Sequence, residues 1–213
     1  MLAYAFLAKG AIEPLSGFAW PAPKAGEEGT WVSADAAPSE ALRGYPAPDL
    51  PYWLDEELWR VELAGALTER DHLLIAERAR LHVRIDAWTD ALAWRFVAAC
   101  ARRVARRTAA ALREAGRTDA AERLDDARDL AELELAGSSA ADQTSPAGTL
   151  AGYVADVCFY ARDAGAGARA AGVAAKMSAY ALADEDEDAR AHDERLVEER
   201  AWQSTWLVDR LRL

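Results

Sequence analysis

Three histidines and many carboxylates are the side chains of this sequence best suited to chemistry, and their spacing argues against catalysis. His72, His82 and His192 do not stand in the HExxH or HxH spacing of zinc sites. No Gly-x-Ser-x-Gly segment is present, and the glycines within residues 165–172 lack both the preceding strand and the Lys-Ser pair of a phosphate-binding loop. We therefore predict no catalytic residue, no metal site and no cofactor, and we favour a non-enzymatic protein.

Aromatic and charged side chains in the N-terminal half could instead form a binding surface. Four of the eight tryptophans lie in residues 1–85, which is more indole surface than a small domain buries easily. The charged residues could line a cleft against two of these indoles, or could form a surface salt-bridge ladder beside core aromatics. The candidate binding residues in this half are Trp53, Trp59, Glu62, Glu77, Arg78 and Arg80.

Charge excludes one class of partner and suggests another. The net charge of −11 argues against nucleic acid, because binding there requires a basic surface. Arg102, Arg103, Arg106 and Arg107 are a local exception, which we interpret as a solvated helix face. An uninterrupted acidic run could steer a basic protein partner, or could be a solvated linker. This run consists of Asp184, Glu185, Asp186, Glu187 and Asp188.

The sequence changes character near Asp86. Seven of the eight prolines precede it, and the alternating segment from Leu58 to Leu63 predicts a strand that ends at Gly65. Residues 3–7 predict a first strand, whereas residues 69–85 fit either a strand or a helix.

Beyond Asp86 the chain is rich in alanine and arginine, and helical spacing dominates. Asp86 is a plausible N-cap for a helix that continues to about Ala115. Its predicted buried face contains Trp88, Leu92, Phe96, Cys100 and Val104. One helix should follow from Thr118, and three more after Pro146. We predict an α+β fold in which a small antiparallel β-rich part, residues 1–85, packs on a bundle of four or five helices, residues 86–213.

The cysteines and the N-terminus indicate the compartment. Cys100 and Cys158 are far apart, lie in apolar helical patterns and form no Cys-x-x-Cys motif. No stretch approaches the 18 apolar residues of a membrane span, and no charged segment precedes the apolar N-terminus. We predict buried thiols in a cytoplasmic protein with no membrane partner.

Two segments resemble known families. The pattern from Ala3-Tyr4 to ERARLHVRIDAW, about residues 1–88, resembles a small domain of unknown function in uncharacterised bacterial proteins and phage genomes. Its members often carry a Gly-(Leu/Phe/Val)-His-Ala-Cys segment before the main strand, whereas this chain has Leu42-Arg43-Gly44-Tyr45-Pro46. The departure removes the one position at which that family pattern implies chemistry. The segment Glu198–Gln203 with Trp206-Leu207 is similar to the ends of Ala-rich, immunity-like helical domains of toxin systems, over about residues 147–213.

These observations favour a cytoplasmic protein-binding module, of an immunity-like kind, that presents an acidic helical surface to a basic protein partner. One alternative is a nucleotide-binding or ADP-ribosyltransferase-like N-terminal domain, although the Arg, Ser and Glu marks of that class are not recognisable. Another is a structural or oligomerising helical protein. The sequence leaves the oligomeric state open.

Overall fold

An antiparallel sheet forms the N-terminal part of the chain and α-helices follow it, which confirms the predicted α+β class. The computed structural model describes residues 1–24, 26–37, 42–184 and 189–213. The strands are β1 (Leu2–Leu7), β2 (Val32–Ser33), β3 (Arg43–Gly44), β4 (Glu57–Arg70) and β5 (Leu73–Arg84), with a 3-10 helix at Ala47–Tyr52. The helices are α1 (Asp90–Glu114), α2 (Thr118–Asp126), α3 (Leu130–Ala140), α4 (Pro146–Asp163), α5 (Gly167–Ala183) and α6 (Ala189–Leu211).

The sheet is built around a long hairpin of β4 and β5. β1 pairs with the other edge of β4, while β2 and β3 both pair with β5, and every pairing is antiparallel. Asp71 and His72 connect the hairpin with φ angles of 44° and 65°, the left-handed conformation that a two-residue hairpin turn requires. Residues 73–84 are therefore strand, which resolves the ambiguity of the sequence in this region.

Gly65 does not end its strand, so that prediction was wrong. The residue takes a φ of +82°, and the register of β4 against β5 shifts between Ala64 and Leu67. Glycine adopts this backbone conformation without steric penalty, so the chain accommodates a bulge and the strand continues to Arg70.

Trp88 belongs to the core beside the sheet and not to the face of the first helix. α1 begins at Asp90, three residues later than an N-cap at Asp86 predicts, so Trp88 precedes it. The Trp88 ring packs edge to face against Phe6 with 5.3 Å between ring centroids. Its indole Nε1 donates a hydrogen bond of 2.7 Å to the carbonyl oxygen of Asp55. The other four residues of the predicted stripe are buried in α1, as expected: Leu92, Phe96, Cys100 and Val104.

The chain divides into two compact units. The first comprises residues 1–90 together with 204–213, and the second comprises residues 91–203. The division falls inside α6, whose last residues complete the first unit. There Leu207 is fully buried, and the Ser204 hydroxyl donates to the carbonyl of Ala47 at 3.0 Å.

The segment from Thr118, which the sequence predicts as one helix, forms two helices, α2 and α3, because it is divided at Ala127. Ala127 is extended, with a ψ of 126°, and the Asp129 carboxylate caps α3 by accepting from the backbone nitrogens of Ala131 and Glu132. The Arg102 guanidinium donates to the carbonyls of Ala127 and Arg128, at 3.0 and 2.7 Å. This tertiary contact satisfies backbone oxygens that a continuous helix would have paired internally.

Both cysteines are free and buried. Burial raises the pKa of the Cys158 thiol to about 12 and also raises the pKa of Cys100, so both groups are protonated at neutral pH. Among the described residues, no helix combines the length and the apolar composition needed to cross a membrane.

Candidate functional site

The predicted arginines of β5 surround a different tryptophan from the two that we expected. The guanidinium carbons of Arg78 and Arg80 lie 5.1 and 4.8 Å from the ring centroid of Trp31, within the range of a cation–π contact. Arg80 is also paired with carboxylates, through Nε to Glu62 at 2.7 Å and through a terminal nitrogen to Glu28 at 2.5 Å. These neighbours raise the pKa of Arg80. Its charge is thus already neutralised within the sheet unit.

Trp53 and Trp59 do not join this group. Trp59 is 6 % exposed in the core, where its indole donates to the Glu57 carboxylate at 3.2 Å. Trp53 stacks on Tyr45 with 4.9 Å between centroids, and its indole donates to the carbonyl of His72. Glu77 is exposed beside the bulge at Gly65. The six predicted residues are therefore distributed over four places and do not line one cleft.

Asp184 is the one member of the predicted acidic run within the described residues. Its carboxylate accepts a hydrogen bond from the Tyr153 hydroxyl, and it is the C-cap of α5. The other members, Glu185 to Asp188, lie outside the described residues.

Exposed aromatic side chains mark a surface that the sequence analysis missed, on the hairpin of α4 and α5. Tyr160 and Phe159 on α4 are 48 % and 50 % exposed and touch edge to face at 5.2 Å between centroids. Tyr180 on α5 is 49 % exposed. Large aromatic residues at such exposure are typical of interaction surfaces and expensive to leave in water.

Helical periodicity gathers these residues into one surface, which we call the α4–α5 face. Residues spaced three or four apart share a side of a helix. The α4 side carries Tyr153, Asp156, Phe159, Tyr160 and Asp163, and the α5 side carries Val173, Lys176, Met177, Tyr180 and Asp184. A groove of about 430 Å³ runs between the two helices, lined by Tyr160, Asp163, Ala164, Val173, Lys176 and Met177.

The rim of the α4–α5 face is acidic. Asp156, Asp163 and Asp184 are exposed at its edges, and the exposed cations on the same side of α5 are Lys176 and Arg169. Partial burial raises the pKa of Asp156, and the hydrogen bond to Asp184 raises the pKa of Tyr153 to about 12. An apolar aromatic centre with a charged rim is the usual anatomy of a protein-binding surface.

One signal in the sequence could have revealed this surface. The stripe Leu150, Val154, Val157 and Ala161 is fully apolar and buried, and it accounts for the inner side of α4 on its own. Phe159 and Tyr160 lie outside that stripe, so helical spacing alone assigns two aromatic side chains to the outside of the helix.

Among the described residues, no group of three or more His, Cys, Asp or Glu side chains is arranged to hold a metal ion. No protein-family model, curated protein or solved structure matches this chain. The two family resemblances therefore stay predictions.

Proposed function

We propose that this protein is a non-catalytic protein-binding module that takes a basic, amphipathic segment of a partner at the α4–α5 face. The supporting observation is the groove of about 430 Å³ beside Tyr160, on a face that also carries exposed aromatic side chains and three exposed aspartates. An immunity-like role would be one instance of such binding. The buried free thiols favour a reducing, cytoplasmic setting for it.

Charge complementarity selects the partner. Three aspartates against Lys176 and Arg169 leave the α4–α5 face with a small negative charge, and the whole chain carries −11. Such a field attracts Lys- and Arg-rich segments and raises their association rate, and it repels acidic ones.

The aromatic centre supplies the affinity. Tyrosine and tryptophan dominate the energetics of protein interfaces, because a large rigid ring buries much area at a small loss of conformational entropy. Tyr160 lines the groove and contacts Phe159, so it is the side chain that a partner's apolar residues would cover. Met177 on the opposite wall can adapt its shape to the ligand.

Fluorescence anisotropy with a defined probe tests the proposal. The probe is a labelled helical peptide of about five turns with leucine on one face and lysine on the other, and its twin has glutamate in place of lysine. We expect the basic peptide to bind and the acidic twin not to bind. Rising salt should weaken the binding of the basic peptide, because ions screen its attraction to the protein.

Matched variants locate the site. Tyr160→Ala should weaken binding at least about tenfold, as truncation of a hot-spot tyrosine does. Leu135→Ala removes another exposed apolar side chain, 72 % exposed on α3, and should leave binding unchanged. Equal binding of the two peptides, or equal losses in the two variants, would refute a specific site on the α4–α5 face.

A further inference from the structure

A second cleft in the same unit is lined mainly by arginine side chains. It lies where α1 and α6 meet the end of α5, and its volume is about 430 Å³. Its lining includes Arg103, Arg106, Arg107, Arg195, Glu198 and Glu199. Among the described residues, four guanidinium groups and two carboxylates line this cavity, in a chain whose net charge is −11.

Helical spacing explains how α1 supplies three of these arginines. Arg103, Arg106 and Arg107 stand three and four residues apart, so they share one side of the helix. Helical charge patterning alone predicts a solvated face for these arginines. The structure places it across a cavity from Arg195 of α6, a neighbour 88 positions beyond Arg107 that no local pattern could reveal.

One wall of the cleft is rigidly built. Glu199 is 2 % exposed and accepts from Arg103 Nε, while the Arg103 guanidinium carbon lies 4.6 Å from the ring centroid of Trp202. A guanidinium held between a carboxylate and an indole has little conformational entropy left to lose on binding a ligand.

Glu199 is in turn held from behind by Gln203, which is fully buried. The Gln203 amide nitrogen donates to Glu199, to the carbonyl of Ala175 and to the Ser178 hydroxyl, at 3.3, 2.9 and 3.1 Å. The amide oxygen accepts from Arg200 at 3.0 Å. These bonds join α6 to α5 through the buried Gln203 amide, and they fix the Glu199 carboxylate that accepts from Arg103.

We propose that this cleft, which we call the arginine cleft, binds a small polyphosphate: an inorganic or organic molecule with two or more linked phosphoryl groups. Guanidinium forks match the geometry of phosphate oxygens and can bond them in pairs. Several arginines around one cavity suit a ligand with several adjacent negative charges better than a single carboxylate. The volume fits a ligand of nucleotide size. The arginine cleft contains none of the residues of the α4–α5 face, so the two proposals stand or fall separately.

Isothermal titration calorimetry of the full chain tests this proposal. The probes are inorganic tripolyphosphate, ATP and adenosine. We expect saturable one-site binding of tripolyphosphate and ATP and none of adenosine. Similar affinities for the first two would identify a phosphate-only site, and tighter ATP binding would identify an organic phosphate; both support the proposal. No saturable binding of either phosphate at about millimolar concentration, a value that already corresponds to only about 4 kcal/mol, would overturn it.

A matched pair of variants assigns the site. Arg106 is exposed at the cleft, so Arg106→Gln removes one charged contact without disturbing the core and should weaken tripolyphosphate about tenfold. Arg106→Lys keeps the positive charge but loses the planar guanidinium, so its affinity for tripolyphosphate should lie between those of the wild type and Arg106→Gln. Arg169→Gln makes the same change at an exposed position on α5 outside the cleft and should have less than about a twofold effect. Equal losses in Arg106→Gln and Arg169→Gln would mean that the chain binds phosphate diffusely, and would overturn the assignment.

Discussion

The buried ion pair of Glu13 and Arg43 should respond unequally to removal of its two partners. The two residues are 1 % and 6 % exposed, and Arg43 donates from a terminal nitrogen to Oε1 of Glu13. The other oxygen of Glu13 accepts from the backbone nitrogens of Leu15 and Ser16 and from the Ser16 hydroxyl, at 3.0, 2.6 and 2.6 Å. The carboxylate therefore has four donors. The Nε of Arg43 is buried with no hydrogen-bond partner among the described residues.

This asymmetry sets the magnitudes. In Glu13→Gln the amide NH2 group faces hydrogen-bond donors in either orientation: Arg43 in one, and Leu15 and Ser16 in the other. The buried Arg43 charge also loses its counterion. Removal of one partner of a buried pair in this way costs about 3–5 kcal/mol. In Arg43→Met the carboxylate keeps three donors, and the unsatisfied Nε disappears. The loss is then one charge-assisted bond and the contact with Trp53, partly offset, for a net cost of roughly 1–2 kcal/mol.

Urea denaturation of the wild type and of both variants measures the difference. Equal m-values would show that the free energy of unfolding has changed rather than the extent of unfolding. We expect Glu13→Gln to be the less stable variant by at least about 1 kcal/mol. Equal destabilisation of the two variants, or a larger loss in Arg43→Met, would refute the inference that the remaining hydrogen-bond donors compensate the buried Glu13 carboxylate.

Three further outcomes are expected. Trp88→Phe keeps a ring against Phe6 but loses the bond to Asp55, so it should cost about 1–2 kcal/mol in urea, against about 3–5 for Trp88→Ala; a loss under about 1 in the alanine variant would contradict its place in the core. Hydrogen bonds from Thr144 and Ser145 lower the pKa of Asp142 from 3.8 to about 2. Its stabilising contribution is thus complete above about pH 4 and disappears toward about pH 2, so the melting-temperature gap between wild type and Asp142→Asn should close over that interval, and a constant gap would argue against it. Gly65→Ala forces a side chain into a left-handed conformation and against Glu77, and should lower the melting temperature more than Gly10→Ala, which has a similar φ but open space; equal shifts would leave the contact with Glu77 without effect.

Local patterns in the sequence predicted most of the fold, and tertiary contacts account for what they missed. The alternation of Leu58 to Leu63 and the apolar stripe of α1 depend on near neighbours in the chain, and both are present in the structure. The break at Ala127 depends on Arg102, which lies 25 residues away. No local propensity records which carbonyls a distant guanidinium will satisfy.

The candidate surfaces were less predictable than the fold for the same reason. Trp31 was counted among the aromatic residues of the N-terminal half, but its place between Arg78 and Arg80 arises from the pairing of β2 with β5. The arginine cleft requires residues of α1 and α6 to meet, and this is a property of helix packing. The exposure of Tyr160 could have been predicted, since its position outside the buried stripe of α4 follows from helical spacing alone.

Because α6 continues across the boundary between the units, it constrains the order in which the two units can fold during synthesis. Residues 204–213 complete the first unit but are synthesised after the whole of the second. When residues 1–90 leave the ribosome, Ser204 and Leu207 have not yet been synthesised. The first unit therefore stays incomplete until more than a hundred further residues have been added to the chain. During that interval the second unit can fold first, and the unit that begins the chain is then the last to reach its native state. Expression of residues 1–90 alone should give an incomplete domain, whereas supplying residues 204–213 as a separate peptide offers a route to complement it.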